Sequence, residues 1–495
     1  MESWLTWFLR GVLVLTFLFL VGRLFELQIV KSSYFKLLSN ENRIKRVEIP
    51  APRGLILARG GEILVGNRVD KRYYPLGSKF AHTGGYLSEA DETEVGKIDP
   101  KCPEKGPRKL GDLIGRSGLE EEYNCLLKGT DGEELIEVDI RGNPVRVLGK
   151  KEPIPGLDLK TNIDFNLQNK IPALFENKKG AVIVTDTKGE VLAFYSSPSF
   201  DPNNVAKSLN DPNLPLFNRA LGGLYHPGSV FKPVVAIAGL TEGKIDKNYI
   251  FVDPGIVTIG KFSYSNWYFS QYGRTEGAID ITKAIARSTD TFFYKLGEMV
   301  GIDKIAEYAG KLGLSEITGI DLPGEIAGLI PTPEWRKKAT GEDWFLGNTY
   351  HVSIGQGDVS VTPIALNQAI TVIASDGTFC KPRLVGNGQC RDLKIKKEIL
   401  DLVKEGMIKA CSTGGTGYTF FDFAAKNSGK TVACKTGTAE TNEDGKTHAW
   451  FTVMTPADFP EIVVTVLFER GGEGATVAGP IARKIIDDWE LSKNP

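Results

Sequence analysis

A serine and a lysine three positions apart, Ser229 and Lys232, could do covalent chemistry together. They follow a Pro227-Gly228 break and stand directly before an apolar run, 234–240. A helix that begins here would place both side chains on one face of its first turn. A serine hydroxyl needs a neighbouring base to take its proton, and lysine can replace histidine in that role. The pair alone is not specific, because most serines and lysines at this spacing are simply solvated.

A polar interruption at Ser288-Thr289-Asp290 could supply proton-transfer groups. The segment 277–301 has the pattern of two helical pieces, and these three residues stand at the break between them. A hydroxyl and a short carboxylate at such a break can both face a cleft. Taken alone, the tripeptide is a common helix cap.

The tetrapeptide Lys435-Thr436-Gly437-Thr438 could hold an anionic substrate. It lies on a predicted strand, whose alternation would direct Lys435 and Gly437 to the same side. A glycine there permits the close approach of a substrate backbone. For such a tetrapeptide seen alone, the default interpretation is a basic residue and a glycine bulge on an edge strand, without a binding function.

An α/β domain must position these three segments. The predicted elements are a helix, a hairpin, three late apolar strands and a terminal amphipathic helix: 161–175; 181–186 with 190–194; 431–438, 449–454 and 462–468; 477–491. A sheet of late strands that is completed by an early hairpin and packed between helices is an α/β sandwich.

The chain before residue 155 has no catalytic constellation of its own. Its predicted elements are a short helix, a proline-broken extended segment, an amphipathic helix and two strands: 32–45, 46–56, 119–127, 135–139 and 144–148. We interpret this part as a mainly-β spacer that holds the catalytic part away from a membrane.

The segment 4–29 is the most apolar stretch, and a membrane-spanning helix needs about 20 such residues. Arg10 is the charged residue near the start of this segment, and its side chain would extend toward the nearer lipid headgroups. No small-residue cleavage site follows the segment, so we expect an uncleaved anchor rather than a signal peptide.

Several basic residues follow the anchor and only Arg10 precedes its core. By the positive-inside rule, this distribution would leave the large domain in the cytoplasm. The rule is weaker for a long domain, because such domains are translocated largely regardless of the flanking charges.

Composition and charge exclude some classes of protein. With 495 residues, 41% hydrophobic and 24% charged, the chain is long enough for two or more folded domains. The 60 basic and 61 acidic side chains give a net charge of −1, which offers no electrostatic basis for binding nucleic acid. Four scattered histidines, and no Gly-x-Ser-x-Gly around Ser229, leave no histidine-based triad.

Six cysteines are present, without a Cys-x-x-Cys or a Cys/His array, which argues against a zinc site. An even number permits disulfides in an exported protein. The pairs Cys380–Cys390 and Cys411–Cys434 are the first to test. The alternative is six buried thiols.

In the order Ser-x-x-Lys, Ser-x-Asp and Lys-Thr-Gly-Thr, the three motifs are very similar to the set found in penicillin-binding proteins and class A β-lactamases. The chain resembles the class B penicillin-binding proteins, which are peptidoglycan D,D-transpeptidases, and within them the penicillin-binding protein 2 branch of the cell-elongation machinery. The resemblance continues through segments from the anchor onward: 23–28, 42–44, 52–54, 115–120, 155–156, 318–325, 353–357 and 362–363.

The resemblance implies a role for each motif residue. Ser229 would attack the penultimate D-Ala carbonyl of a stem peptide and release the terminal D-Ala, with Lys232 as its base. Ser288 and Asp290 would relay protons and orient Lys232. The charge of Lys435 would help to keep Lys232 neutral.

The third motif would bind the donor. Lys435 and Thr438 would hold the donor carboxylate, with Thr436 and Gly437 in the same substrate-binding strand. The backbone N–H groups of Ser229 and Thr438 would form an oxyanion hole, where a single donor can be worth about 3–4 kcal/mol. The same site would bind β-lactams covalently.

The resemblance also implies an organisation. Residues 1–30 would be a transmembrane anchor, 31–155 a shortened, dimerisation-like pedestal, and 156–495 a transpeptidase domain of the serine β-lactamase fold, with an antiparallel sheet between helices. The anchor would hold the chain in the plasma membrane, with its amino terminus cytoplasmic and its catalytic domain outside. A membrane glycosyltransferase of the elongation machinery would be its partner, and no cofactor is expected.

Some features depart from the family pattern. Some relatives carry a His/Cys metal site near the second motif, but Tyr272-Gly273-Arg274 and Thr289 stand there in this chain, so we predict no zinc. The chain passes almost directly from Arg68 to Arg72, where relatives insert a head region. Cys434 replaces a glycine that is common before the Lys-Thr-Gly motif.

Two kinds of alternative stay open. A D,D-carboxypeptidase or a β-lactamase on the same fold would send the acyl group to water. A non-catalytic β-lactam sensor or scaffold would keep the fold without turnover. The stem-peptide chemistry, the choice between elongation and division, and the oligomeric state are not specified by the sequence.

Overall fold

The computed structural model describes residues 3–69, 71–139, 141–176, 178–441 and 445–493, apart from the side chains of residues 40–42. The chain packs as two units, and the first of them consists of residues 1–54 and 128–157. The second consists of residues 55–127 and 158–495. The chain passes from one unit to the other after residues 54, 127 and 157, so the functional boundaries at residues 30 and 155 stay predictions.

The first unit begins with an apolar helix, Trp4–Phe25, which continues as a π-helical turn, Glu26–Val30. None of the residues of Trp4–Phe25 is buried. Together the two elements span 27 residues and contain an 18-residue window with a mean hydropathy of 2.0. Among the described residues, this is the one helix that is long and apolar enough to cross a membrane. The helix therefore fits a single-pass membrane anchor. A second helix, Ser32–Arg43, follows it.

A three-stranded antiparallel sheet completes the first unit. Its central strand, Gly132–Val138, pairs with Ile44–Ile49 on one side and with Pro144–Lys151 on the other. The central Glu137 forms ion pairs with Arg43 and Arg146 from the two neighbouring parts of the unit.

The second unit is built on a five-stranded antiparallel sheet, the central sheet. Its strands lie in the order Val191–Ser197, Gly180–Asp186, Ile462–Phe468, Thr447–Thr455 and Ala433–Glu440. The predicted hairpin and late strands are therefore confirmed, and the hairpin supplies one side of the sheet. Ala433–Glu440, which carries the Lys-Thr-Gly-Thr motif, is an edge strand.

Helices cover both faces of the central sheet, as an α/β sandwich requires. On one face, Gly479–Lys493 packs with Phe165–Lys170 over a core that includes Phe175, Phe451 and Val464. The other face carries the helices Lys232–Thr241, Ile281–Arg287, Asp290–Val300, Pro363–Ala374 and Lys397–Ala410.

The predicted helix 161–175 is shorter than expected. Its first turn begins after Asp164, whose carboxylate accepts hydrogen bonds from the N–H groups of Asn166 and Leu167. Pro172 lies in the following 3-10 turn, Ile171–Leu174, where a missing N–H is tolerated. The predicted helix 119–127 is likewise split into Gly118–Glu122 and Asn124–Leu127.

The remaining elements of the second unit are short strands and helices. The strands are Ile56–Leu57, Ile63–Arg68, Lys71–Tyr73, Leu87–Glu89, Leu113–Gly115, Leu159–Lys160, Phe251–Val252, Ile256–Ile259, Phe262–Ser265, Ala278–Ile279, Thr378–Cys380 and Cys390–Asp392. The helices, 3-10 turns and π turn are Gly77–Lys79, Ala81–Gly84, Pro103–Lys105, Val205–Ser208, Arg219–Gly222, Gly228–Phe231, Trp267–Tyr272, Ile302–Lys311, Pro333–Thr340, Leu346–Ser353, Tyr418–Phe420, Phe423–Lys426 and Gly474–Ala478.

All six cysteines form disulfides. The structure joins Cys380 to Cys390 and Cys411 to Cys434, which are the two pairs that the sequence analysis names as the first to test. It also joins Cys102 to Cys125, a pair that we did not propose. The alternative of six buried thiols is therefore wrong.

Candidate active site

The nucleophile segment is a helical turn, as its sequence predicts. A 3-10 turn, Gly228–Phe231, leads directly into the helix Lys232–Thr241. Ser229 is partly exposed, whereas Lys232 is completely buried. Gly228 has φ +56° and donates its N–H to the carbonyl of Gly355 at 2.8 Å, which holds the start of the turn.

The second motif meets Lys232 at a helix end. The helix Ile281–Arg287 stops at Ser288, which has the left-handed φ of +56°, and the next helix starts at Asp290. This geometry turns two oxygens of one residue toward the lysine. Lys232 Nζ donates to the Ser288 carbonyl at 2.7 Å, to Ser288 Oγ at 3.1 Å and to Asp290 Oδ1 at 2.6 Å. These three acceptors match the three N–H donors of an ammonium.

The third motif reaches the same hydroxyl from the central sheet. Lys435 is completely buried, and its Nζ donates to Ser288 Oγ at 2.9 Å and to the Thr436 carbonyl at 3.1 Å. Ser288 Oγ therefore accepts hydrogen bonds from both lysines. A hydroxyl has two acceptor lone pairs and one O–H donor, so the O–H of Ser288 stays available to donate.

Residues that the sequence did not single out hold Asp290. The N–H of Trp267 donates to Asp290 Oδ2 at 2.9 Å, and the N–H of Asp290 donates to Asn266 Oδ1 at 3.2 Å. Asn266 in turn donates to the buried Asp253 at 3.0 Å. These contacts join residues that are 13 to 24 positions apart, for which no periodic sequence signal exists. The prediction of no zinc here stays a prediction.

Burial dominates the electrostatics of the two lysines. It lowers the pKa of Lys232 from the ordinary lysine value, although the charge and hydrogen bond of Asp290 act in the opposite direction. Burial, together with the positive charge of Lys232, holds the pKa of Lys435 well below its usual range. The site thus contains two buried lysines whose charged forms are disfavoured by burial, and Lys232 stands three residues after the partly exposed Ser229.

The role of Gly437 differs from the expected one. A Cβ at this position would lie 3.0 Å from the Pro227 carbonyl, from Val230 Cγ1 and from Trp450 Cβ. The protein itself therefore fills the space beside Gly437. The glycine lets the edge strand pack against the nucleophile turn.

The two threonine hydroxyls of the third motif form hydrogen bonds of their own. Thr436 Oγ1 donates to Thr416 Oγ1 at 2.9 Å, and Thr438 Oγ1 accepts from the N–H of Gly474 at 3.2 Å. Thr436 and Thr438 share one side of the strand, because they are two positions apart. Thr416 is another residue that the sequence did not point to.

His226, beside the nucleophile turn, is bound to a backbone carbonyl and to an indole side chain. Its Nδ1 lies 2.6 Å from the Val359 carbonyl, and its own carbonyl accepts from Trp450 Nε1 at 2.9 Å. Both contacts are to groups of the protein itself, as in a structural neighbour of the turn rather than in its base.

Two family models match the chain. Residues 180–487 match the penicillin binding protein transpeptidase domain, and residues 67–161 match the penicillin-binding protein dimerisation domain. Among curated relatives, the peptidoglycan D,D-transpeptidase MrdA of Escherichia coli strain K12 is 30% identical over 602 aligned positions, which cover 98% of this chain and 93% of the relative.

Solved structures agree with the family models. Penicillin-binding protein 2 of Pseudomonas aeruginosa, in complex with WCK 5153, has a TM-score of 0.76 and 31% identity, and covers 90% of this chain and 96% of its own. The Helicobacter pylori homologue in complex with MreC has a TM-score of 0.79 and 26% identity, with 90% and 99% covered. A chain of a peptidoglycan synthase complex that coordinates polymerization and crosslinking has a TM-score of 0.76 and 27% identity, with 98% of both chains covered.

A transpeptidase domain over most of the second unit and a relative that is similar almost end to end lead to one conclusion. The chain belongs to the penicillin-binding transpeptidases, the serine-type peptidoglycan D,D-transpeptidases, in their penicillin-binding protein 2 branch.

Proposed function

We propose that this chain cross-links peptidoglycan stem peptides through an acyl-enzyme on Ser229. One observation carries this assignment of roles: Ser288 Oγ accepts hydrogen bonds from Lys232, three residues after Ser229, and from Lys435 of the third motif. Three segments that are distant in sequence thus meet at one hydroxyl. Acyl transfer needs a nucleophile, a base and a proton relay. Ser229, Lys232 and Ser288 would fill these roles in that order.

Acylation begins when Lys232 is neutral. Its lone pair takes the proton of Ser229, and Ser229 Oγ attacks the carbonyl carbon of the penultimate D-Ala. The backbone N–H groups of Ser229 and Thr438 stabilise the oxyanion. When the tetrahedral intermediate collapses, the peptide C–N bond breaks and the amine of the terminal D-Ala leaves with a proton. Ser288, whose O–H is free to donate, delivers that proton from the lysine network.

Deacylation uses the same groups in reverse. The amine of a second stem peptide attacks the ester carbonyl, loses a proton to the network, and forms the new peptide bond as Ser229 regains its hydrogen. In a β-lactam, the bond that opens belongs to a ring, so the leaving amine stays attached and blocks the incoming amine. The adduct on Ser229 therefore persists.

The donor carboxylate has a clear electrostatic task. Among the residues that the structure describes, Lys435 has no carboxylate as a hydrogen-bond partner, whereas Lys232 has Asp290. An anion bound beside Lys435, Thr436 and Thr438 would favour the charged form of Lys435. A charged Lys435 then disfavours the charge of Lys232, so binding of the donor helps to produce the neutral base.

The first experiment is mass spectrometry of the intact, detergent-solubilised chain after treatment with a penicillin. We expect one stable adduct, mapped by digestion to the peptide that contains Ser229. Ser229→Ala should abolish the adduct, whereas Ser199→Ala, a serine outside the network, should retain it. An adduct that persists in Ser229→Ala would show that the nucleophile is another residue.

The products distinguish a transferase from its hydrolytic alternatives. With a D-Ala-D-Ala donor peptide and an amine acceptor, we expect a cross-linked peptide together with free D-Ala. Free D-Ala without transfer would indicate a carboxypeptidase, and rapid release of opened penicillin would indicate a β-lactamase. A lasting adduct without any turnover of donor peptide would indicate a sensor.

The proposed setting is the plasma membrane, with the amino terminus in the cytoplasm and the second unit outside. The apolar helix Trp4–Phe25 supports the anchor, and three disulfides in the second unit support an oxidising compartment. The partners we propose are a membrane glycosyltransferase and other elongation proteins, because similar chains were solved with MreC and in a synthase complex. Co-purification of the intact chain with a polymerase from its own membrane would test this.

A further inference from the structure

Residues 411–417, named the bridged loop here, join the helix Lys397–Ala410 to the turn Tyr418–Phe420. The loop begins at Cys411, which is disulfide-bonded to Cys434, the residue before Lys435. Both cysteines are buried. We propose that this disulfide is a positioning element of the active site, which fixes the bridged loop so that Thr416 holds Thr436 in place to bind the donor. The inference rests on the proposed function, because it concerns the donor site of that reaction.

The loop is fixed to the motif strand at two points. Cys434 and Thr436 are two positions apart in the strand Ala433–Glu440, so their side chains lie on the same face. The disulfide attaches Cys411 to the first of them, and Thr416 Oγ1 accepts the hydrogen bond of Thr436 at 2.9 Å. The two attachments flank Lys435 in sequence.

The same loop also contacts the second motif. The N–H of Thr416 donates to the Ala286 carbonyl at 3.3 Å, and Arg287 Nη1 donates to the Gly414 carbonyl at 2.9 Å. Ala286 and Arg287 directly precede Ser288. The bridged loop therefore connects the two segments whose side chains meet at Ser288. In well-ordered sites, a misplacement of about 1 Å can reduce the rate about 100-fold.

Gly417 shows that the loop is shaped around the disulfide. A Cβ at this position would lie 2.6 Å from Cys434 Sγ and 3.1 Å from Cys411 Sγ. Its φ of −91° is open to any residue, so the backbone conformation does not require glycine. The two sulfur atoms occupy most of the space of a side chain, and the Ala410 carbonyl oxygen, at 3.1 Å, borders it. Gly417 and the disulfide are therefore a matched pair.

The test compares rates of Ser229 acylation by a fluorescent penicillin in the full-length, detergent-solubilised protein. We expect Cys411→Ala with Cys434→Ala to acylate about tenfold more slowly than wild type, because the loop is no longer fixed. The matched control, Cys380→Ala with Cys390→Ala, removes another disulfide of the same unit and should keep the wild-type rate. Equal rates in wild type and in the protein without the Cys411–Cys434 bridge would overturn the proposal.

Gly417→Ala provides a readout that a general loss of stability cannot imitate. With the disulfide intact, the added methyl should slow acylation, because it collides with Cys434 Sγ. In the protein without this disulfide, the same methyl fills the space left by sulfur and should restore part of the rate. A methyl that slows acylation equally in both backgrounds would contradict a matched role for the pair.

A variant that keeps the disulfide decides the question if the protein without it does not fold. Thr416→Val removes the hydroxyl and should slow acylation about tenfold, and Thr416→Ser should restore the rate. An unchanged rate in Thr416→Val would overturn the inference. Absence of any acylation in wild type would contradict the proposed function itself, so the two failures are distinguishable.

Discussion

At the scale of single residues, Ser288 is the point where the site is assembled. Its left-handed backbone, with φ +56°, presents both its carbonyl and its hydroxyl to Lys232. A non-glycine residue in this region costs about 1–2 kcal/mol. The hydrogen bonds of two buried lysines offset that cost, and Asp290 supplies the countercharge for one of them.

The protonation of Lys232 should set the pH dependence of acylation. The neutral amine is the base, so the rate should rise with pH as Lys232 loses its proton. Because burial lowers the pKa of Lys232, the midpoint of the rise should lie below the free-lysine pKa of about 10.4. Asp290 opposes this lowering, so Asp290→Asn should move the midpoint to lower pH. The maximal rate should fall about 100-fold, because Lys232 loses an orienting acceptor.

Acylation rates of both proteins across a pH series check this prediction. Asp303→Asn, which removes an exposed carboxylate outside the network, serves as the control and should leave midpoint and rate unchanged. A midpoint that moves to higher pH in Asp290→Asn would show that Lys232 is not the titrating base.

At the scale of elements, the nucleophile turn is held by close backbone contact between Gly228 and Gly355. Gly355 has φ +74°, and a Cβ there would lie 2.2 Å from the Gly228 carbonyl oxygen. The turn can occupy its position beside the motif strand only because both residues lack side chains. The same contact fixes Ser229, the next residue in the chain.

Gly355→Ala should therefore lower both stability and acylation. We expect the free energy of unfolding to fall by about 2–4 kcal/mol, from a left-handed backbone and from the collision with Gly228. The control is Gly341→Ala, which has a similar φ of +78° but open space around its Cβ. It should lose only about 1 kcal/mol and acylate normally. Denaturant unfolding measures the first effect, and equal losses in the two variants would contradict the collision.

The sequence predicted the elements better than the contacts between them. The late strands and the hairpin were predictable because apolar residues alternate or run continuously there, and the turn at Ser229 because Pro and Gly mark its start. The predicted helix 161–175 is too long, because the α-helix begins only after its cap, Asp164, and ends before the 3-10 turn that contains Pro172.

The support around the motifs had no such signal. Thr416, Asn266 and Trp267 act on the site through hydrogen bonds to residues that are distant in the chain. Periodicity reports only which face of an element is buried, and not which loop covers it. The sequence predicted that Gly437 permits the close approach of a substrate backbone. In the structure, the neighbours that require a glycine here are the protein's own Val230 and Trp450.

At the scale of the whole molecule, the chain combines an apolar anchor, a small β unit and a catalytic unit with three disulfides. The local charge count around the anchor favours a cytoplasmic catalytic unit. The disulfides favour the opposite orientation, since such bonds are rare in the reducing cytosol. We give the disulfides more weight, because long domains are exported regardless of flanking charges.

Protease treatment of spheroplasts should settle the orientation. In a chain with an epitope at each end, we expect external protease to remove the carboxyl-terminal epitope and to spare the amino-terminal one. Detergent lysis, as the control, should expose both. Protection of the carboxyl-terminal epitope in intact spheroplasts would contradict the proposed topology.

The order of the disulfides bears on how the molecule is made. Each cysteine is bonded to the next one along the chain, with sequence separations of 23, 10 and 23. A chain that emerges from a translocation channel amino terminus first exposes both members of each pair before the next pair appears. An oxidant that joins cysteines as they emerge would thus produce the native pairing without later reshuffling. Biogenesis of this protein should depend on an oxidase but not on a disulfide isomerase.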